Sequence, residues 1–323
     1  MKKPRERKPL TPQAKKRLSR ILTGCVVAIV AVLLFALSQL IPKLQDYQAS
    51  DQAFSELADH AITAYDPAEQ VMEPAEEDSD PPDLTDAMAI DWEAFGGTDI
   101  VAWVQCKDIS YPVMQGDDNA YYLHHLPDGE YNTGGSIFLL AENNPLFTDQ
   151  NSIVYGHNRA NGSMFGKLKR YANQDSAESV FYIYLPDGTR HTYRFFSVTA
   201  VYQDSKAYTW SFSSDASFVD WQNWMLSNSL VDTGESADAA GKFVCLSTCN
   251  GSSGTTQRLV ICGKEERVDT LQEPASWYAS YMEQYQAERS AWVDRAGSLS
   301  SGLTALQQQN RETLWQERRK GSE

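Results

Sequence analysis

Three residues of this sequence combine into a chemistry that none has alone. Phe243 to Cys249 reads FVCLSTC, an apolar run that passes through a small polar pair and ends on a cysteine. The polar segment NGSSGTTQ follows, and Arg258 opens the next apolar run. Elsewhere SIVYGHN carries His157 near the end of a similar run. A thiol attacks an amide as its thiolate, which a neighbouring imidazolium or guanidinium favours. The acyl oxygen that gains charge then needs fixed donors, and a guanidinium with backbone N–H groups supplies them. A side chain at a strand end is held rigidly and still faces a cleft. Cys249, His157 and Arg258 are therefore candidates for nucleophile, acid–base group and oxyanion donor. A cysteine in a strand is by itself more often packing than catalysis, so the combination carries the argument.

The remaining cysteines, Cys25, Cys106, Cys245 and Cys262, form no regularly spaced disulfide framework. Cys245 and Cys249 are spaced C-x3-C without the second ligand pair that zinc requires, which makes a structural metal site the minor reading. His124, His125 and His191 fall in strand or turn context and are not assigned to the chemistry.

The elements that must position these residues are short and β-rich, from about residue 100 to 270. Strands are expected at Ser110 to Met114, Gly135 to Leu140, Ser152 to His157, Val180 to Leu185, Thr189 to Tyr202, Phe243 to Cys249 and Arg258 to Cys262. Pro186, Asp187 and Gly188 mark a hairpin turn. Phe165 to Tyr171 reads as a short helix. Asp215 to Leu230 reads as a longer one, whose Phe218, Trp221, Trp224 and Met225 recur at helical spacing as packing residues.

The ends differ in character. The chain carries a net charge of -15, yet residues 1–20 are basic and the rest is acidic. Ile21 to Ile41 has no charge and is long enough to cross a bilayer, so residues 21–41 are expected to be an uncleaved membrane helix. The basic segment before it would stay cytoplasmic and the rest would lie outside the cell membrane. A basic run placed directly before an apolar stretch argues for a membrane surface rather than nucleic acid as its partner. Residues 42–86 read as a stalk, with a possible helix over 45–64, followed by an acidic, Pro-rich linker; folded structure is expected from about Ala87. Residues 271–323 read as a helical extension, with Trp277, Tyr281 and Tyr285 spaced to pack.

Leu246, Ser247, Thr248 and Cys249 resemble the TLxTC signature of sortases, with Cys245 in place of the first Thr, and Arg258 falls at the spacing of the sortase arginine. Tyr155, Gly156, His157 and Asn158 resemble the segment around the sortase histidine. DIVAWVQCKDISYPVMQGDDNAYYLHH and GGSIFLLAENN resemble the N-terminal part of class B members, and the Asp215 to Leu230 helix resembles their insertion between the sixth and seventh strands. The resemblance spans about residues 88–268 and leaves out the C-terminal extension.

It implies a mainly β fold: an eight-stranded sortase-type barrel with inserted and flanking helices, within a catalytic domain over 87–270. It also implies a Gram-positive, membrane-anchored cysteine transpeptidase. Such an enzyme cleaves the C-terminal sorting motif of exported proteins through a thioacyl intermediate and transfers the acyl group to an amine of peptidoglycan precursor or pilin. Cys249, His157 and Arg258 would be catalytic, Thr248, Ser247, Leu246 and Asn158 would bind substrate, and the resemblance implies no metal and no cofactor. Two other readings stay open. A Cys–His cell-wall hydrolase or protease would more often orient its histidine with Asn or Asp and would have no need of Arg258. A catalytically silent binding module would keep the fold alone.

Overall fold

The computed structural model describes residues 11–66, 84–251 and 255–287. The first element, α1 (Pro12–Ala61), is one continuous helix that passes through Pro42 without ending. Its Ile21 to Ile41 stretch is long and apolar enough to cross a membrane by length and composition, and its large side chains are exposed all round. The sequence suggested a separate stalk and a fold that begins near Ala87. Instead the outer part of α1 buries Ser50 and Phe54. Tyr47, Ser50, Asp51 and Phe54 share one helix face by their spacing, and that face is packed.

After α1 come β1 (Ile62–Ala64), β2 (Met88–Ile90), β3 (Ile100–Cys106), β4 (Ile109–Met114), β5 (Ile137–Leu139) and β6 (Asn151–Tyr155). They are followed by β7 (Val180–Tyr184), β8 (Thr189–Tyr202), α2 (Asp215–Ser227), β9 (Phe243–Cys249) and β10 (Gln257–Thr270). Strands β3 to β10 close into a barrel in the order β10-β8-β7-β3-β4-β5-β6-β9, which is the expected eight-stranded architecture. The strand β3 had no counterpart among the expected strands. The strand β6 stops at Tyr155, so His157 stands just beyond it. The strand β10 continues past Cys262 through Gly263, where a glycine is required by close approach: a Cβ there would strike the Phe181 ring.

Among the described residues two compact units are distinguishable, one drawn from 11–60, 99–183, 192–251 and 255–266, the other from 61–66, 84–98, 184–191 and 267–287. In the first, α2 starts on a capping box in which Ser214 and Ser217 satisfy each other's backbone N–H groups. It lays Phe218, Trp221 and Met225 against Phe196, Phe243, Cys245, Val260 and Cys262, all buried. The Phe218 and Trp221 rings lie 5.6 and 5.4 Å from that of Phe243. The aromatic stripe is thus packing, as its spacing suggested.

In the second unit β1 pairs antiparallel with β2. The turn at Pro186, Asp187 and Gly188 is made with Gly188 at φ +83°, and a buried Arg190–Asp269 ion pair spans 2.9 Å. Trp277 lies over Gly96 and donates its indole N–H to the Trp92 carbonyl at 2.9 Å, and a helix follows over 278–287. Residues 1–10, most of the acidic linker (67–83) and the rest of the C-terminal extension (288–323) lie outside the described residues.

Truncating Phe218 removes one of the rings that join α2 to β9. Phe218→Ala is expected to cost about 3–5 kcal/mol of stability, read as a lowered denaturant midpoint. A midpoint within the error of the parent protein would show that α2 does not brace the barrel.

Candidate active site

The strands β9 and β10 pair antiparallel with Cys249 directly opposite Arg258. Residues opposed in this way share a face of the sheet. Asn250 donates to the Gln257 carbonyl in the next pair along, so by alternation the Cys249–Arg258 pair is the kind whose side chains lie closer together. On the other side β9 runs parallel to β6, with Ser247 beside Tyr155. That pairing delivers the segment after Tyr155 to the end of β9.

His157 is fixed there by a set of short bonds. Gly156 N–H donates to the Ser247 carbonyl at 3.0 Å, the Thr248 hydroxyl donates to the Gly156 carbonyl at 2.7 Å, and the Asn158 amide donates to the Cys249 carbonyl at 2.8 Å. Gly156 is required by contact, since a Cβ would come within 2.6 Å of the Phe165 ring. His157 Nε2 sits 2.8 Å from the Leu123 carbonyl. A carbonyl only accepts, so Nε2 carries the proton and Nδ1 of the neutral ring is the basic nitrogen. Burial pushes the His157 pKa below its ordinary 6.5, the Leu123 carbonyl pulls it back up, and His124, Arg159 and Arg258 add to the downward pressure.

Cys249, His157 and Arg258 line one cleft of about 230 Å³. Asn119, Leu123, Phe138, Tyr155, Gly156, Gln203, Tyr208, Ser247 and Thr248 complete its walls. The rings of Phe138, Tyr155 and Tyr208 stack in a row, with centroids 5.3 and 6.0 Å apart. Tyr208 OH and Ser247 Oγ hydrogen-bond at 2.8 Å, and burial pushes the Tyr208 phenol up to about 12, so it stays protonated. Arg258 donates through Nη1 to the carbonyls of Thr255 and Gln257 and through Nη2 to Gln203 Oε1. Among the described residues these bonds use three of the five N–H donors of a guanidinium.

Of the substrate-binding candidates, Ser247 and Thr248 line the cleft. Asn158 instead holds the Cys249 backbone. Leu246 is fully buried and departs from expectation: it shares a face of β9 with Thr248 but lies one pleat deeper, in the core, while Thr248 stands near the strand end and reaches the cleft. Sequence reasoning missed Asn119, Leu123, Gln203 and Tyr208, which lie outside the expected strands or at their ends. His191 belongs to the second unit and bonds Thr189 Oγ1 at 3.1 Å. The ring of His124 is 6.3 Å from that of His157. Cys106 is pushed up to about 11 by burial, and Cys262 is raised by burial and by Cys245, so both remain thiols at neutral pH. No cluster of three or more metal-ligating side chains occurs among the described residues.

A family model described as the sortase domain matches residues 104–266. Sortase B of Listeria monocytogenes is 33% identical over 171 residues, covering 51% of this chain and 69% of that relative. Sortase B of Staphylococcus aureus is 28% identical over 171 residues, covering 51% and 70%. Among solved structures, sortase B from Bacillus anthracis in complex with AAEK1 aligns with a TM-score of 0.53 and 26% identity, over 69% of this chain and 99% of that one.

The depressed His157 pKa has a consequence for stability. The unfolded chain binds a proton at His157 near pH 6.5 while the folded chain does not, so stability is lost as pH falls through 6.5 towards the folded value. His157→Gln should therefore flatten the melting temperature against pH between about 7 and 5. A slope identical to that of the parent protein would mean that His157 is not held neutral by its surroundings.

Proposed function

The chain belongs to the sortase family, to its class B, and from that premise we propose that Cys249 is the nucleophile of a membrane-anchored transpeptidase, with His157 as proton carrier and Arg258 as oxyanion donor. The observation that carries this reading is the register that sets Cys249 opposite Arg258, with His157 lining the same cleft. The neutral His157 takes the thiol proton at Nδ1 as Cys249 Sγ attacks the scissile carbonyl. Sγ bonds to the acyl carbon, the C–N bond breaks, and the proton passes from His157 to the departing amine. An incoming amine then attacks the thioester, its new N–C bond replaces the C–Sγ bond, and its proton passes through His157 back to the released Sγ.

Arg258 is held by three acceptors before any ligand arrives, which costs no reorganisation when charge develops on the acyl oxygen. The stacked rings of Phe138, Tyr155 and Tyr208 form an apolar wall for the side chains of an extended peptide. That peptide is the sorting motif of an exported protein, and the acceptor is an amine of peptidoglycan precursor or pilin. The α1 segment Ile21 to Ile41 supports a single-pass anchor with the catalytic domain outside the membrane. The hydrolase reading is disfavoured by one contact: the partner of His157 is a backbone carbonyl, not an Asn or Asp side chain.

Cys249→Ala should abolish cleavage of a sorting peptide and the covalent acyl adduct seen by mass spectrometry, whereas Cys106→Ala and Cys262→Ala should lower stability only. A different cysteine proving indispensable would sink the assignment. Arg258→Lys should lose on the order of 100-fold or more in turnover, because a point charge lacks the two parallel donors. Normal kinetics in that variant would reduce Arg258 to a structural residue.

A further inference from the structure

The segment that carries His157 is held from beneath by the helix α1. Arg159, two residues beyond His157, is 2% exposed and sits in a socket cut for it. A Cβ on Gly134 would overlap its guanidinium, and a Cβ on Gly166 would strike its carbonyl oxygen. Nη1 of Arg159 reaches Asp51 Oδ1 at 3.0 Å, and its guanidinium carbon lies 4.4 Å from the centroid of the Tyr47 ring. The other Asp51 oxygen accepts from the Asn161 amide at 2.8 Å. Asp46, five residues earlier on α1, accepts from Asn132 at its backbone carbonyl and from Thr133 at its carboxylate, beside the Gly134 wall of the socket.

A second line of contact ends at the same loop. Phe54 of α1 packs edge-on against Tyr111 at 5.4 Å, and the Tyr111 oxygen accepts from Met164 N–H at 3.1 Å. Met164 is bridged to Asn158, and Phe165 N–H donates to the His157 carbonyl at 3.1 Å. Both lines run from one face of α1 to the two ends of the loop that holds His157.

We propose that Arg159 is a positioning residue and that the outer part of α1, through Asp51 and Tyr47, is a working component of the active site: it locks the His157 loop in its reactive geometry. The inference rests on the assignment of His157 as proton carrier. A buried guanidinium whose carboxylate partner is removed is left uncompensated and is driven to move. Displacement of about 1 Å at a reacting group can cost as much as ~100-fold in rate.

The charges that bear on His157 are Arg159 of its own loop, Arg258 of β10 and the neighbouring His124, with Cys249 across the cleft. Asp51 offsets Arg159, so its removal makes the site more hostile to protonated His157, whereas removal of Arg159 makes it less so.

The test uses the full-length chain in detergent, with Asp51→Asn and Arg159→Gln measured for kcat, KM, melting temperature and pH dependence with a sorting peptide. The expected result for Asp51→Asn is a loss of kcat on the order of 10-fold to 100-fold with little change in KM. The acid limb of the pH profile should move down in Asp51→Asn and up in Arg159→Gln, opposite directions that shared loss of stability does not produce. An Asp51→Asn protein that is folded at assay temperature and keeps kcat within about 2-fold overturns the proposal, as does an activity loss that tracks the melted fraction with an unmoved pH limb. Should Arg159→Gln fail to fold, Asp51→Asn alone decides, because Asp51 is 40% exposed and the change is isosteric. His157→Ala and Cys249→Ala run alongside: both inactive with Asp51→Asn normal removes only the lock, whereas an active His157→Ala removes the catalytic assignment itself.

Discussion

Antiparallel pairing of β9 with β10 in one register is the constraint on which the site depends. A slip of one residue would turn the Cys249 side chain to the opposite face of the sheet and separate it from Arg258. What prevents the slip lies at the far end of the same two strands. Phe243, Cys245, Val260 and Cys262 are buried on the face that Cys249 and Arg258 share, under Phe218, Trp221 and Met225 of α2. Burying one such aromatic side chain is worth roughly 1.5–3 kcal/mol, and a slip would exchange it for a residue that now faces the opposite side. The core under α2 thereby sets the alignment of two polar side chains that contribute little to stability themselves.

The histidine is held by a different device. Its strand has already ended, so the ladder no longer places it, and side-chain bonds to backbone take over. Thr248 bonds Gly156 and Asn158 bonds Cys249, on either side of His157. Small polar residues after the apolar part of β9 are therefore explained by the need to join two chain ends. Their hydroxyl and amide groups are occupied before a ligand enters.

Local signals carried much of this into the sequence. The run ending on Cys249, the arginine that opens the next strand and the Pro-Asp-Gly turn each occupy a short window, and the aromatic stripe of α2 repeats at helical spacing. The misses share the opposite property. Asp51 and Arg159 are 108 residues apart, and nothing local to either predicts the other. Tyr208 and Gln203 lie where the chain is irregular or a strand ends, so no period marks them as cleft residues. Motif membership puts Leu246 near substrate, but it sits deeper in the strand than Thr248 on the same face and is enclosed by the core. The stalk helix over 45–64 carries no local sign of a packing role, yet the Asp46 backbone carbonyl and the Asp51 carboxylate accept from buried Asn132 and Arg159.

Continuity of α1 turns it into a ruler. A helix rises about 1.5 Å per residue, so the distance along it from Ile41, where the apolar stretch ends, to Asp51, where it grips the barrel, is about 15 Å. On the reading that residues 21–41 cross the bilayer, the cleft has no tether to swing on and works at one standing height above the lipid headgroups. Substrates must then present their scissile bond at that altitude. On that reading a peptide held at the membrane by an apolar segment of its own chain meets this requirement by geometry, whereas a freely diffusing peptide must find it by chance.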